Sequence, residues 1–123
     1  MSKSQTTSVS DKLSPNTLTY LAKLNLSQPQ LRDFCQRWQI NKLALFGSVT
    51  RDDFGPKSDV DVLVSFLPQA KWSLFDLINM EEALSDLLNR KVDLITWPAV
   101  EQHHNPFRRR EILSTAQVIY DQG

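Results

Sequence analysis

One cysteine, three glycines, two histidines and no surplus of either charge set the first limits on this chain of 123 residues. A single thiol cannot form an internal disulfide. Cys35 has apolar neighbours on a helical pattern, so it reads as a small buried hydrophobe in a reducing, cytoplasmic setting. Fourteen Lys plus Arg balance fourteen Asp plus Glu, which removes the overall basic field of a nucleic-acid binder. Only the local cluster Arg108-Arg109-Arg110 is left to serve a phosphate or a partner. No apolar run approaches the roughly 18 residues of a bilayer crossing. The opening MSKSQTTSVSDKLS has neither the apolar stretch of a secretion signal nor the Arg-rich amphipathy of a transit peptide. Neither nucleic acid nor a membrane is expected as a partner.

What is present is enough for one ordinary domain. Residues 1–16, mostly polar and without periodicity, read as a flexible tail, and 17–123 as the folded domain. Leu18, Leu21, Ala22 and Leu24 suggest a short helix or turn. Ser27 is placed to cap a helix with Pro29 in its first turn, and Leu31, Phe34, Cys35 and Trp38 share one helical face. Residues 42–46 and 60–66 are apolar strands. In the second, Val60, Val62, Val64 and Phe66 point opposite to Asp61, Leu63 and Ser65. Residues 52–58, with Gly55-Pro56, form a tight loop that folds one strand back on the other.

Ser73 caps a further helix. Its buried stripe is predicted at Leu74, Leu77, Ile78, Ala83, Leu84, Leu87 and Leu88, with Glu81, Glu82, Asp86 and Arg90 on the solvated side. Residues 91–96 read as a third strand, 97–105 as a loop, 106–113 as a short basic helix capped by Asn105, and 116–120 as a closing strand. Strands outnumber single crossovers, which predicts an α/β (α+β) domain with helices packed on a mixed sheet.

The chemistry gathers in LALFGSVTRDDFGPKSDVDVLVSF, residues 43–66. Asp59 and Asp61 are two apart on a strand and so share one side of the sheet, where like charges repel unless a cation lies between them. Gly47-Ser48 ends the preceding strand. Gly47 lets a ligand approach the backbone, and the N–H groups after it can face an anion. Asp93 sits in an apolar strand, where a carboxylate is costly to bury alone. A metal accounts for it, and an exposed place on a sheet edge is the alternative. Three aspartates are the hard oxygen ligands of Mg²⁺, and two such ions about 4 Å apart catalyse in-line displacement at phosphorus. The Ser48 hydroxyl and Arg51 could hold a triphosphate. His103-His104 diverge in direction and lack a third zinc-type ligand nearby, so no metal is expected there.

Gly47-Ser48, ten intervening residues, Asp59-Val60-Asp61 and a later strand Asp93 resemble the signature of minimal nucleotidyltransferases of the DNA polymerase beta superfamily. The ending NPFRRREIL…QVIYD is similar to the family's last helix and strand. The resemblance implies a polymerase-beta-like fold, two Mg²⁺ held by Asp59, Asp61 and Asp93, and ATP held by Gly47, Ser48 and Arg51. Many relatives have Gly where this chain has Asp52. Members of this size are commonly encoded beside a HEPN ribonuclease toxin. The implied function is an antitoxin that transfers AMP from ATP to a tyrosine of that toxin. The alternatives are an antitoxin that acts by contact alone and a small-molecule nucleotidyltransferase.

Overall fold

The computed structural model describes residues 13–122. Most of the expected tail, residues 1–12, therefore lies outside the described residues. The chain runs α1 (Thr17–Leu24), α2 (Gln28–Arg37), β1 (Ile40–Phe46), a single 3₁₀ turn (Gly47–Thr50), β2 (Val60–Phe66), α3 (Leu74–Leu88), β3 (Val92–Thr96), α4 (Trp97–Glu101), α5 (Pro106–Thr115) and β4 (Gln117–Asp121). One four-stranded sheet has the order β3-β2-β1-β4. β1 pairs antiparallel with β2 and β4, whereas β2 and β3 are parallel and are joined through α3. The mixed sheet with packed helices is the architecture expected from the sequence.

Local signals start the helices as read. Ser27 and Gln30 form a reciprocal capping box, with hydrogen bonds of 3.2 and 3.0 Å, and Ser73 and Asp76 form another. Leu31, Phe34 and Cys35 are buried as expected, and burial pushes the Cys35 thiol far above its ordinary pKa, leaving it protonated and inert.

Two expectations need correction. Leu84 and Leu88 of α3 are buried, and Leu77, Ala83 and Leu87 pack on the core, as expected, but Leu74 and Ile78 are 73% and 46% exposed and the fully buried Met80 takes the place read for them. At roughly 100° per residue, Ile78 lies about 200° around the axis from Met80. Residues 97–105 are not all loop. Thr96 Oγ1 accepts a 3.3 Å hydrogen bond from Ala99 N and starts α4, with Pro98 in the first turn, where the missing N–H costs nothing.

The sheet is covered unequally. Val60, Val62 and Val64 face a large core built with α1, α2 and α3. Leu63, on the opposite face, meets Ala44, Phe46, Val100 of α4 and Ile112 of α5. The edge strand β3 is closed by α3: Ser85 Oγ accepts from Val92 N at 3.1 Å, and Glu81 Oε2 from Leu94 N at 2.8 Å. Glu81 is thus a backbone partner rather than a solvated charge. No helix of the described residues is long and apolar enough to cross a membrane.

Candidate active site

β1 ends at Phe46, whose partner across the sheet is Asp61. The chain turns there because Gly47 adopts φ +74°, and a Cβ at this position would overlap the Asp61 carboxylate. The turn therefore needs glycine for both its backbone angle and the space beside Asp61. The following 3₁₀ turn is tied by Thr50 Oγ1 donating to Gly47 O at 2.7 Å. The Ser48 hydroxyl donates to Asp59 O at 3.4 Å, joining the turn to the start of β2. From α1, Lys23 Nζ donates to Val49 O and Arg51 O at 3.2 and 3.3 Å, holding the turn from behind.

The loop between the turn and β2 is held from a distance. Arg90, just beyond α3, donates through Nη1 to the carbonyls of Gly55, Pro56 and Ser58 at 2.8, 3.3 and 3.2 Å. Its guanidinium also lies over the Phe54 ring, 4.3 Å from the centroid. The sequence reading placed Arg90 on a solvated face; the structure makes it the clasp of residues 54–58. Next to it, Val60 N donates to Lys91 O at 2.9 Å, and Lys91 Nζ stands 4.0 Å from Asp59 Oδ2.

Gly47, Ser48, Arg51, Asp59 and Asp61 all line one depression of about 390 Å³, closed on its far side by Arg108, Glu111, Ile112 and Thr115 of α5. Five of the six residues singled out from the sequence are thereby brought together. Arg51 turns its Nε to Asp53, 3.5 Å away, rather than to the aspartate pair. Asp93 is the register partner of Asp61 on parallel β3, so the two share a face. It is nevertheless exposed on the edge strand and borders a separate depression with Glu81, Glu82, Ser85, Asp86 and Lys91. Among the described residues no three acidic, His or Cys side chains are gathered closely enough to hold a metal. His103 and His104 stack on each other, 5.1 Å between centroids.

Half-burial raises the Asp61 pKa above its ordinary value, and the negative charges of Asp93 and Asp59 add to the rise against Arg108 and Arg51, which oppose it. An anionic pair under this strain, with hard oxygen donors, suits a divalent cation. Arg108 stood out in the sequence only as part of a basic cluster for a phosphate or a partner, and Glu111, Ile112 and Thr115 were missed, although the four fall at i, i+3, i+4 and i+7, the spacing of one helical face. Of the neighbouring arginines, Arg109 donates to His103 O at 3.0 Å, and Arg110 is exposed.

A glycine turn at the end of β1, Asp61 on β2 and Asp59 one residue before that strand thus line one open depression. The chain belongs to the nucleotidyltransferase domain family, whose profile matches residues 29–119. A protein of Methanocaldococcus jannaschii, provisionally named a protein adenylyltransferase, is 36% identical over 81 residues, 66% of this chain and 78% of the relative. A chain from a toxin–antitoxin crystal structure with AMP-PNP superposes with a TM-score of 0.60 at 15% identity, covering 79% of this chain and 75% of that one. A chain from the complex of tri-AMPylated Shewanella oneidensis HEPN toxin with MNT antitoxin superposes with a TM-score of 0.50 at 17% identity, over 86% and 71% of the two chains. At such identities these structures speak for the fold.

Proposed function

We propose that this chain is an antitoxin that transfers AMP from ATP to a tyrosine hydroxyl of a HEPN toxin and so neutralises it in the cytoplasm. The observation that carries the reading is the convergence of Gly47, Ser48, Arg51, Asp59 and Asp61 on one solvent-open depression. The name of the relative, and the AMP-PNP and AMPylated toxin of the structural neighbours, support the choice of nucleotide and acceptor.

In this reading Gly47 leaves the backbone open to the nucleotide phosphates, the Ser48 hydroxyl donates to them, and Arg51 exchanges Asp53 for the polyphosphate. Asp59 and Asp61 would hold two Mg²⁺, and Asp93, on the face it shares with Asp61, would join them once its side chain turns from the depression it borders and would take the proton of the attacking hydroxyl, whose oxygen bonds the α-phosphorus as the bond to the departing pyrophosphate breaks. Bound Mg²⁺ supplies Lewis-acid polarisation of the phosphoryl group. The test is intact-mass measurement of the cognate HEPN protein after incubation with this chain, ATP and Mg²⁺. One or more added AMP units are expected; an unchanged mass overturns the reading.

One observation favours a second reading, neutralisation by contact alone: Asp93 stands outside the depression that holds the other two aspartates. The double variant Asp59→Asn, Asp61→Asn separates the two. Full neutralisation by that variant would sink the catalytic account.

A further inference from the structure

The depression has two arginines in its lining, Arg51 after the Gly47–Thr50 turn and Arg108 on α5, and Asp59 and Asp61 line it with them. Only the first belongs to the turn that the sequence marks. Arg108 is held by Glu111 alone among the contacts described, through one 3.0 Å bond from Nη1 to Oε1. The two side chains are 47% and 61% exposed. An exposed pair at i, i+3 on a helix is weak. A guanidinium has five N–H donors in a planar fork, and phosphate oxygens engage it in paired, charge-assisted bonds that are stronger than such a surface pair.

We infer that Arg108 is a second phosphate-binding residue: it leaves Glu111 when nucleotide enters and grips the polyphosphate from α5, together with Arg51. The inference rests on the nucleotide reading of the site and adds a residue to it. A polyphosphate drawn to the aspartates by divalent cations enters the one depression that both guanidinium groups line. Glu111 then has a definite part as the anion that parks Arg108 and competes with the incoming phosphate.

The experiment is titration calorimetry of the full chain with MgATP and, separately, with adenosine, for the parent, Arg108→Ala, Arg108→Lys and Glu111→Gln. Arg108→Ala is expected to weaken MgATP about tenfold and to leave adenosine unchanged. Lysine recovers only part of the loss, because it keeps the charge and loses the fork. Glu111→Gln binds MgATP at least as tightly as the parent. Arg108→Gln replaces the alanine variant if the latter unfolds at a lower temperature than the parent.

MgATP affinity within twofold of the parent in both Arg108→Ala and Arg108→Gln overturns the inference. So does a raised KM for the acceptor protein with nucleotide affinity unchanged, which would place Arg108 on the acceptor's side. A loss in Glu111→Gln as large as in Arg108→Ala also overturns it, because the pair would then be a structural tie. If the parent itself binds no MgATP, the nucleotide reading falls, and this assignment falls with it. The parent titration therefore distinguishes the two failures.

Discussion

Among the described residues, nineteen buried side chains from three helices, all four strands, the link between α1 and α2 and the turn after β1 form a continuous core on one face of the sheet; on the other face five do, and the helices that cover them are α4 and α5. The difference is a division of work. Hydrophobic burial scales with apolar area, so the large core carries most of the stability of the fold. The thin face leaves room at the end of β2, and the depression with Asp59 and Asp61 opens there. α5 buries only Ile112, while Phe107 at its start is 80% exposed. The wall that carries Arg108 is thus the lightly anchored one, and the wall made by the turn after β1 is fixed by Lys23 and Thr50.

This division can be broken most directly in the large core. Met80→Ala, at a fully buried site, is expected to cost about 2–5 kcal/mol in chemical denaturation and to remove activity only in step with folding. Next, Asp61→Asn is expected to lower nucleotidyl transfer by more than about a hundredfold while the fold stays intact. Its pH dependence sharpens the point. The native carboxyl titrates above its ordinary value, so through the window between the two values the native state holds a proton that the unfolded chain has released. Stability of the metal-free parent is therefore lost as pH rises through that window. The metal-free Asn variant does not lose it, and should melt at a higher temperature than the parent at pH 7 but not below the window.

Arg90→Ala, which takes the donor from three carbonyls and the cation from the Phe54 ring, should cost roughly 1–3 kcal/mol and raise hydrogen exchange in residues 54–58. The smallest effect concerns α5. In native-state hydrogen exchange its amides should open at lower free energy than those of α3, and equal protection of the two helices would contradict the contrast of the faces.

The sequence was most informative where the chemistry is local. Gly47, Ser48, Asp59 and Asp61 could be read because a turn and the first residues of a strand lie close together in the chain, although Asp59 stands one residue before β2 rather than on it, and α2 because its cap and stripe lie within about ten residues. It was least informative where a side chain acts at long range. Arg90 reaches carbonyls 32 to 35 residues back, and Glu81 reaches an amide 13 residues on, so helical periodicity could only assign both to the polar side. For Asp93 the strand and the face were legible. Its position on an edge strand, outside the main depression, depends on the order β3-β2-β1-β4, which no local pattern encodes. The missed α4 has a related cause: Pro98 and Asn105-Pro106 signal breaks, but a proline in the first turn starts a helix as readily as it ends one.

The closure of β3 by α3 bears on how copies of this chain, or other proteins, can meet it. A bare edge strand offers its outward N–H groups as a template on which a foreign strand can add, the common route to edge-to-edge aggregation. Here the outward amides of Val92 and Leu94 are already taken by Ser85 and Glu81. A strand arriving at that edge would have to displace a hydroxyl and a carboxylate delivered by the preceding helix, and sheet extension is disfavoured on the side where Asp93 stands.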